Sequence, residues 1–326
     1  MKRPLSLVVA ALLAVCLVAL VACGGAPGGK PAAESATDSV DVAAGAAQAQ
    51  PKATDSSRDS SSALRVSFID VGKGDCALVQ VGNTSVLIDT GYEKTADNVL
   101  RYLREQHVGH LDAMVITHYD RDHIGGIRKI GEGVDVDTIY LPGYAGGDKN
   151  YRECVASVKA LEVPAKLVTK ETSLNLESAR FTIYPSAVAY KPGTDGGKGG
   201  GEGNDNDASL VATLANGRDS YLFAGDLEEA GIGAYLAARH GRFDVLKMPH
   251  HGHRSSNTAA FIDDVCPQIV VITDAKDDPA NKKVLKLLQS DGIKTYRTSN
   301  DGTVVVESSG NGTYAVRTLP TGATKQ

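Results

Sequence analysis

Two imidazoles and two carboxylates, His118, Asp120, Asp122 and His123, fall within six residues of the run Thr117-His118-Tyr119-Asp120-Arg121-Asp122-His123-Ile124-Gly125-Gly126. An apolar, strand-like stretch (112–117) leads in and a glycine pair leads out. At pH 7 such groups offer neutral nitrogen or anionic oxygen, the donors that hold divalent metals. A loop leaving a strand lets these side chains converge, whereas a helix spreads them around its axis. The spacing therefore predicts a strand that ends in a metal-binding loop. A solvated turn rich in Asp and His is the plain alternative, and it does not explain the matched segments further along.

The first of those is Tyr221-Leu222-Phe223-Ala224-Gly225-Asp226, an apolar strand that ends in a carboxylate with a helical pattern after it. Alone, Asp226 reads as a helix N-cap. The second is Leu246-Lys247-Met248-Pro249-His250-His251-Gly252-His253, with three histidines in four positions after a strand. Core histidines are usually single, so this cluster favours a site. The third is Asn204 to Ser209, where Asn206, Asp207 and Ser209 alone read as turn capping. The site requires His123 and Asp226, far apart in the chain, to meet.

Alternating or apolar runs predict strands over 64–71, 76–81, 85–89, 112–117, 138–141, 165–169, 180–184, 209–214, 220–224, 244–248, 269–273, 294–297, 302–307 and 314–318. Helical spacing covers 95–105, 124–130, 151–161, 227–239, 258–263 and 280–290. Strands and helices mix along the whole length with hairpins at both ends. That pattern suits an α/β (α+β) fold of two mixed sheets packed face to face with helices outside. The glycine-dominated stretch 191–207 reads as a mobile surface loop, because no helix start follows in phosphate-loop spacing.

The N-terminus reads as an export signal over 1–22. Lys2 and Arg3 precede an uncharged apolar run, Leu5 to Ala22, that ends Leu20-Val21-Ala22-Cys23-Gly24. This resembles the lipobox of bacterial lipoproteins, which implies lipidation of Cys23. An uncleaved anchor helix is the alternative, since 18 residues nearly span a bilayer. Both place the remainder outside the cytoplasm, tethered to the cell membrane. Residues 23–63, rich in Ala, Gly and Ser, read as a flexible tether, with a single hydrolase-type domain over 64–326. The net formal charge is −5, and loss of Lys2 and Arg3 makes it two units more negative. Such a chain is no general nucleic-acid binder, so a polyanionic substrate needs local positive charge or metal. Of five cysteines, Cys76, Cys154 and Cys266 remain with no short metal-type spacing. Buried free thiols are the default reading, with one disulfide plus a thiol compatible with an oxidising compartment.

Taken in order, Phe68-Ile69-Asp70-Val71-Gly72-Lys73-Gly74-Asp75, Leu87-Ile88-Asp89-Thr90-Gly91, Thr117 to Gly126, Asp207-Ala208-Ser209-Leu210-Val211, Ala224-Gly225-Asp226, Leu246 to Gly252 and Tyr296-Arg297-Thr298 with Asp301-Gly302 resemble the metallo-β-lactamase superfamily. Within it they look like the hydrolase domain of the ComEC family of DNA-uptake proteins, without any stretch resembling that family's membrane channel. The resemblance implies an αββα sandwich with two divalent ions, Zn²⁺ or Mn²⁺, in a cleft at its edge. By position, His118 and Asp120 would hold one ion and Asp122 and His123 the other. Asp226 would bridge them, and His250 would close the second site. His251 is then either the ligand in place of His250 or a general acid. Asp89 would orient His118 from behind, and Asp70 and Asp75 would be structural. Two departures stand out. Asp120 occupies a position where lactamases carry His, which favours harder ions and argues against β-lactam hydrolysis. The segment Asp274-Ala275-Lys276-Asp277-Asp278-Pro279 has no histidine where relatives often have Gly-His-Pro.

The resemblance implies hydrolysis of phosphodiesters, single-stranded DNA among them, by metal-activated water, with Asp122 orienting the nucleophile and His251 or His253 protonating the leaving oxygen. Arg121, Arg128, Lys129, Lys247 and Arg254 flank the ligand runs and read equally as phosphate contacts or as a solvated rim. The competing expectations are a surface phosphodiesterase acting on phosphocholine or other envelope phosphodiesters, and a non-catalytic ligand-binding lipoprotein with a vestigial metal site. No segment identifies a protein partner.

Overall fold

The computed structural model describes residues 63–191, 204–238 and 241–320. The signal-like segment, Cys23, the tether up to residue 62 and most of the glycine-rich stretch lie outside the described residues. Two mixed sheets pack face to face. The first has eight strands, in spatial order Tyr314–Leu319, Thr303–Ser308, Leu64–Phe68, Ala77–Val81, Thr84–Ile88, Ala113–Val115, Ile139–Pro142 and Ala165–Val168. The second has seven: Lys294–Arg297, Ile269–Ile272, Val245–Lys247, Asp219–Phe223, Val211–Asn216, Ala179–Tyr184 and Thr172–Leu176.

Alternation along the strands explains why the sheets stack. Val66, Phe68, Val79, Val86, Ile88 and Val115 from the first sheet meet Phe181, Leu214, Tyr221, Phe223, Val245 and Val271 from the second in one central core. Residues on the opposite faces face helices. Leu78, Leu87, Met114 and Ile116 pack on Val99 and Leu103 of helix Ala96–Glu105 and on Ile127 and Ile130 of helix Ile127–Gly133. Leu222, Leu246, Val270 and Ile272 pack on Ile232 and Tyr235 of Glu229–Ala238, Phe261 of Thr258–Val265 and Leu288 of Lys282–Ser290. Helix, sheet, sheet and helix form the four layers of an αββα sandwich. Each large side chain so buried contributes about 1.5–3 kcal/mol of apolar transfer. Truncating the fully buried Phe181 to Ala costs about 3–5 kcal/mol.

The parallel strands position the site. Ile88 pairs in parallel with Val115, and Phe223 with Lys247. The carboxyl ends of these strands, two in each sheet, therefore point the same way, the usual place for a ligand in such sheets. Three local features differ from expectation. Thr172–Leu176, which the sequence pattern leaves unassigned, forms an edge strand paired with Ala179–Tyr184 across a turn at Glu177, whose φ is +48°. The ligand run is not wholly a loop, because Arg121–Ile124 forms one helical turn after Asp120. Cys266 is exposed, whereas Cys76 and Cys154 are buried, and all three are free thiols. Among the described residues no helix is long and apolar enough to cross a membrane.

Candidate metal centre

Three histidine rings are aimed at one point by the groups behind them. Asp89, fully buried at the end of strand Thr84–Ile88, accepts the backbone N–H of Thr117 through Oδ1 (2.8 Å) and the Thr117 hydroxyl through Oδ2 (2.8 Å). The hydroxyl proton is thereby committed, so Thr117 Oγ1 accepts from His118 Nδ1 at 3.0 Å. His123 Nδ1 donates to Asp89 Oδ2 at 2.9 Å, and His251 Nδ1 to the Thr273 carbonyl at 2.9 Å. In its neutral form each ring therefore carries its proton on Nδ1 and presents the Nε2 lone pair, the arrangement that metal-binding histidines use.

Those nitrogens make no hydrogen bond to the protein. Nε2 of His118, His123 and His251 and Oδ2 of Asp122 are buried without a hydrogen bond. Each such orphan costs about 1–3 kcal/mol, so four together call for a ligand. Two of them flank Asp226, whose Oδ2 lies 3.3 Å from His123 Nε2 and 3.0 Å from His251 Nε2. Asp122 Oδ2 is 3.4 Å from His251 Nε2, and Asp120 Oδ2 stands 3.7 Å from His118 Nε2. Two overlapping groups result, His118 with His123 and Asp226, and Asp122 with His123 and His251. Within each, the ligand atoms lie within 4.8 Å of one another. Three imidazole nitrogens with hard carboxylate oxygens suit Zn²⁺ or Mn²⁺.

Electrostatics lead to the same conclusion. Burial pulls His251 down, yet Asp226 and Asp122 outweigh it and carry the ring up to about 9. His123 is likewise held well above its ordinary value by Asp226 and Asp89 against burial. Burial pushes the Asp226 carboxyl up, but His251, His123 and Lys247 hold it well below the usual range. The pocket is over-supplied with negative charge, and protons on the rings or bound cations are the ways to balance it.

The structure brings His118, Asp122, His123, Asp226 and His251 together, with Asp120 beside His118. His250 does not join them. Its Nδ1 turns to Glu228 Oε1 at 3.0 Å, and His251 takes the inward position. Asp89 reaches His118, its expected partner, only through Thr117, and it orients His123 directly. Asp226 is not the helix cap, because Asp207 Oδ1 accepts the N–H groups of Glu228 and Gly231 (3.0 and 2.6 Å) at the start of helix Glu229–Ala238. Lys247 is no rim residue. It is buried, paired with Asp75, and 3.4 Å from Asp226 Oδ1. A lysine inside an apolar strand run was the available signal. Arg121, Arg128, Lys129 and Arg254 are exposed. Asp75 also accepts from Thr273 Oγ1 (2.5 Å), so it braces the His251 side from behind. In the segment lacking histidine, Asp274 is buried, accepting the Ala280 N–H at 2.9 Å and pairing with Arg297. Asp205, not anticipated, accepts the Tyr119 N–H at 3.1 Å and the Tyr144 hydroxyl, and burial raises its carboxyl.

The family model of the metallo-beta-lactamase superfamily matches residues 69–265, and the chain belongs to that superfamily. It is a metallo-beta-lactamase-fold hydrolase with His and Asp groups able to hold metal. Among curated proteins, it is 27% identical to "ComE operon protein 3" of Bacillus subtilis over 267 residues, which is 75% of this chain and 33% of that protein. It is 27% identical to "Competence protein ComA" of Neisseria gonorrhoeae over 250 residues, 73% of this chain and 31% of that one. The chain thus spans about a third of the length of these relatives. Among solved structures, the metallo-beta-lactamase fold protein YhfI from Bacillus subtilis superposes with a TM-score of 0.50 at 13% identity, covering 76% of this chain and all of that one.

Proposed function

We propose that this chain is a metal-dependent phosphodiesterase that acts outside the cytoplasmic membrane, with nucleic acid, single-stranded DNA included, as its substrate. The observation that carries the reading is that four orphaned ligand atoms, Nε2 of His118, His123 and His251 and Oδ2 of Asp122, fall with Asp226 into two overlapping groups that share His123. His118, Asp120, Asp122, His123, Asp226 and His251 would hold the metal, the single free Nε2 of His123 serving one ion only. Divalent cations held there supply a Lewis acid and a water acidified to near neutrality. Asp122, at the edge of the cluster, orients the nucleophile. His251 is committed to the cluster and to Thr273, which leaves His253, partly exposed and 3.3 Å from Asp278 Oδ1, to protonate the leaving oxygen.

The substrate class is supported by the competence proteins among the relatives. We assign the hydrolase domain to residues 64–326, carried on a lipidated Cys23 by the 23–63 tether.

Elemental analysis of the purified protein, with a panel of single-stranded DNA, p-nitrophenyl phosphocholine and bis(p-nitrophenyl) phosphate, tests this. Bound metal and EDTA-sensitive cleavage of DNA are expected. Equal turnover after EDTA treatment defeats the mechanism, absence of metal favours a vestigial binding site, and cleavage of the phosphocholine ester alone moves the substrate to the envelope.

A further inference from the structure

We infer that Lys73 is a substrate-binding residue, whose ammonium takes a non-bridging oxygen of the phosphodiester and the charge that grows there as the bond is cleaved. This rests on the phosphodiesterase reading.

Among the described residues, two lysines approach the ligand carboxylates, and they differ in reach. Lys247 is enclosed by Asp75, the Gly225 carbonyl (3.0 Å) and Asp226, and only 4% of its side chain is exposed. It braces the carboxylates from behind and can touch no substrate. Lys73 stands on the open side. Its Nζ is 3.5 Å from Asp122 Oδ2 and 3.9 Å from Asp278 Oδ2, with 27% of the side chain exposed.

The backbone around Lys73 is fixed while its side chain is not. Gly72 N–H donates to Asp70 Oδ1 at 3.1 Å, Asp70 N–H to Thr303 Oγ1 at 3.0 Å, and Asp75 N–H to the Asp122 carbonyl at 3.1 Å. Gly74 has φ +153°, and a Cβ there would sit 2.7 Å from the Asp122 carbonyl oxygen. The turn is therefore docked against the ligand segment at a distance that only glycine permits.

Neither contact of Lys73 is a close pair, since charge-assisted N–H···O bonds run about 2.7–2.9 Å. Asp122 Oδ2 is also one of the orphaned ligand atoms, so an ion that takes it leaves Lys73 with a weaker partner. An anionic oxygen of the substrate fits beside the ammonium. In hydrolysis the water oxygen bonds to phosphorus, the ester P–O bond breaks, and one water proton leaves with the alcohol. Lys73 gives and takes no proton. It stabilises the additional negative charge on the equatorial oxygens, the effect that preorganised cations exert on phosphoryl transfer.

The rival role is structural, with Lys73 merely holding Asp122 and Asp278. Lys73→Ala and Lys73→Arg in the full chain, read by metal content, by kcat and KM on bis(p-nitrophenyl) phosphate, and by calorimetric affinity for inorganic phosphate, separate the two. Lys73→Ala is expected to keep wild-type metal content, to lose about 10²–10³-fold in kcat/KM, and to bind phosphate about tenfold more weakly. Lys73→Arg, which keeps the charge, restores most of the loss. Unchanged kcat/KM and phosphate affinity in Lys73→Ala, or a fall in metal content that accounts for lost activity, overturns the assignment. Wild-type protein that holds metal but cleaves no phosphodiester overturns the phosphodiesterase reading, and Lys73's role with it. Wild-type turnover with Lys73→Ala unimpaired overturns Lys73 alone.

Discussion

The two histidine-bearing turns of the centre reach the same pocket by different means. In the first, Asp120 is extended and Arg121–Ile124 makes a single helical turn, so side-chain direction follows from spacing: Asp122 and His123 turn inward and Arg121 outward. In the second, Pro249–Gly252, two consecutive non-glycine residues are left-handed, His250 at φ 43° and His251 at φ 51°. Such residues cost about 1–2 kcal/mol each for an L-amino acid. The turn is held by Met248 N–H to the Val271 carbonyl (2.9 Å), His250 N–H to the Gly225 carbonyl (3.2 Å) and Asn281 N–H to the Gly252 carbonyl (3.0 Å). The outcome is that His251 points in and His250 points out to Glu228. Strain of this kind persists where the surroundings over-determine the backbone, commonly at functional sites.

The sharpest way to break the comparison is to remove one ligand from each turn. His118→Ala and Asp122→Ala are expected to abolish turnover, by about a thousandfold or more, in a protein that still folds, as circular dichroism and thermal melting will show. In the second turn, His251→Ala should lose metal and activity on the same scale, whereas His250→Ala should hold wild-type metal content and turnover within about threefold, because it loses only a partly exposed pair. Equal effects of the two, by elemental analysis and kinetics, would show that the inward and outward assignments are wrong.

This difference also sets how much could be read beforehand. The αββα layering was legible because apolar alternation and the chain order of strands and helices survive in the sequence. So was the nearness of His118, Asp120, Asp122 and His123 to one another, since all four lie within six residues. His250 and His251 are chemically identical neighbours, and only φ and ψ tell them apart. Asp226 and Asp207 are both acidic residues near one helix start, and it took the tertiary fold to give the cap to Asp207. Asp89 was legible as a supporting residue, but not that its direct partner is His123, because that depends on where Thr117 Oγ1 sits. The strand Thr172–Leu176 was missed because its alternating polar residues are half exposed at a sheet edge.

A finer test probes what stands behind the rings. Asp89→Asn keeps the shape and removes the charge that fixes His123 and, through Thr117, His118. The expected loss is about 10–100-fold in metal affinity, read by competition with a chromophoric chelator. The matching change in the second turn is milder, because His251 is fixed by a main-chain carbonyl that no substitution removes. Thr273→Val deletes only the hydroxyl that binds Asp75 and lies 3.2 Å from His251 Nδ1. Its effect on metal affinity should be smaller than that of Asp89→Asn. The reverse order would mean that Asp75, not the Thr273 carbonyl, orients His251.

The smallest effect concerns pH, and it isolates the second turn. In metal-free protein the His251 ring titrates near 9, against an ordinary value of 6.5. A raised imidazole stabilises the folded state fully below pH 6.5, and that contribution disappears as pH climbs toward 9. EDTA-treated protein should therefore lose roughly a few degrees of melting temperature between pH 6.5 and 9. Metal binding needs the ring neutral and so releases its proton, which makes the stabilisation by metal grow over the same window. The gap between metal-loaded and metal-free melting curves should widen with pH in wild-type and in His250→Ala. In His251→Ala the metal-free slope should flatten. A slope unchanged by His251→Ala would assign the buried proton to another group in the pocket, with His123 the first to examine, since Asp226 and Asp89 raise it as well.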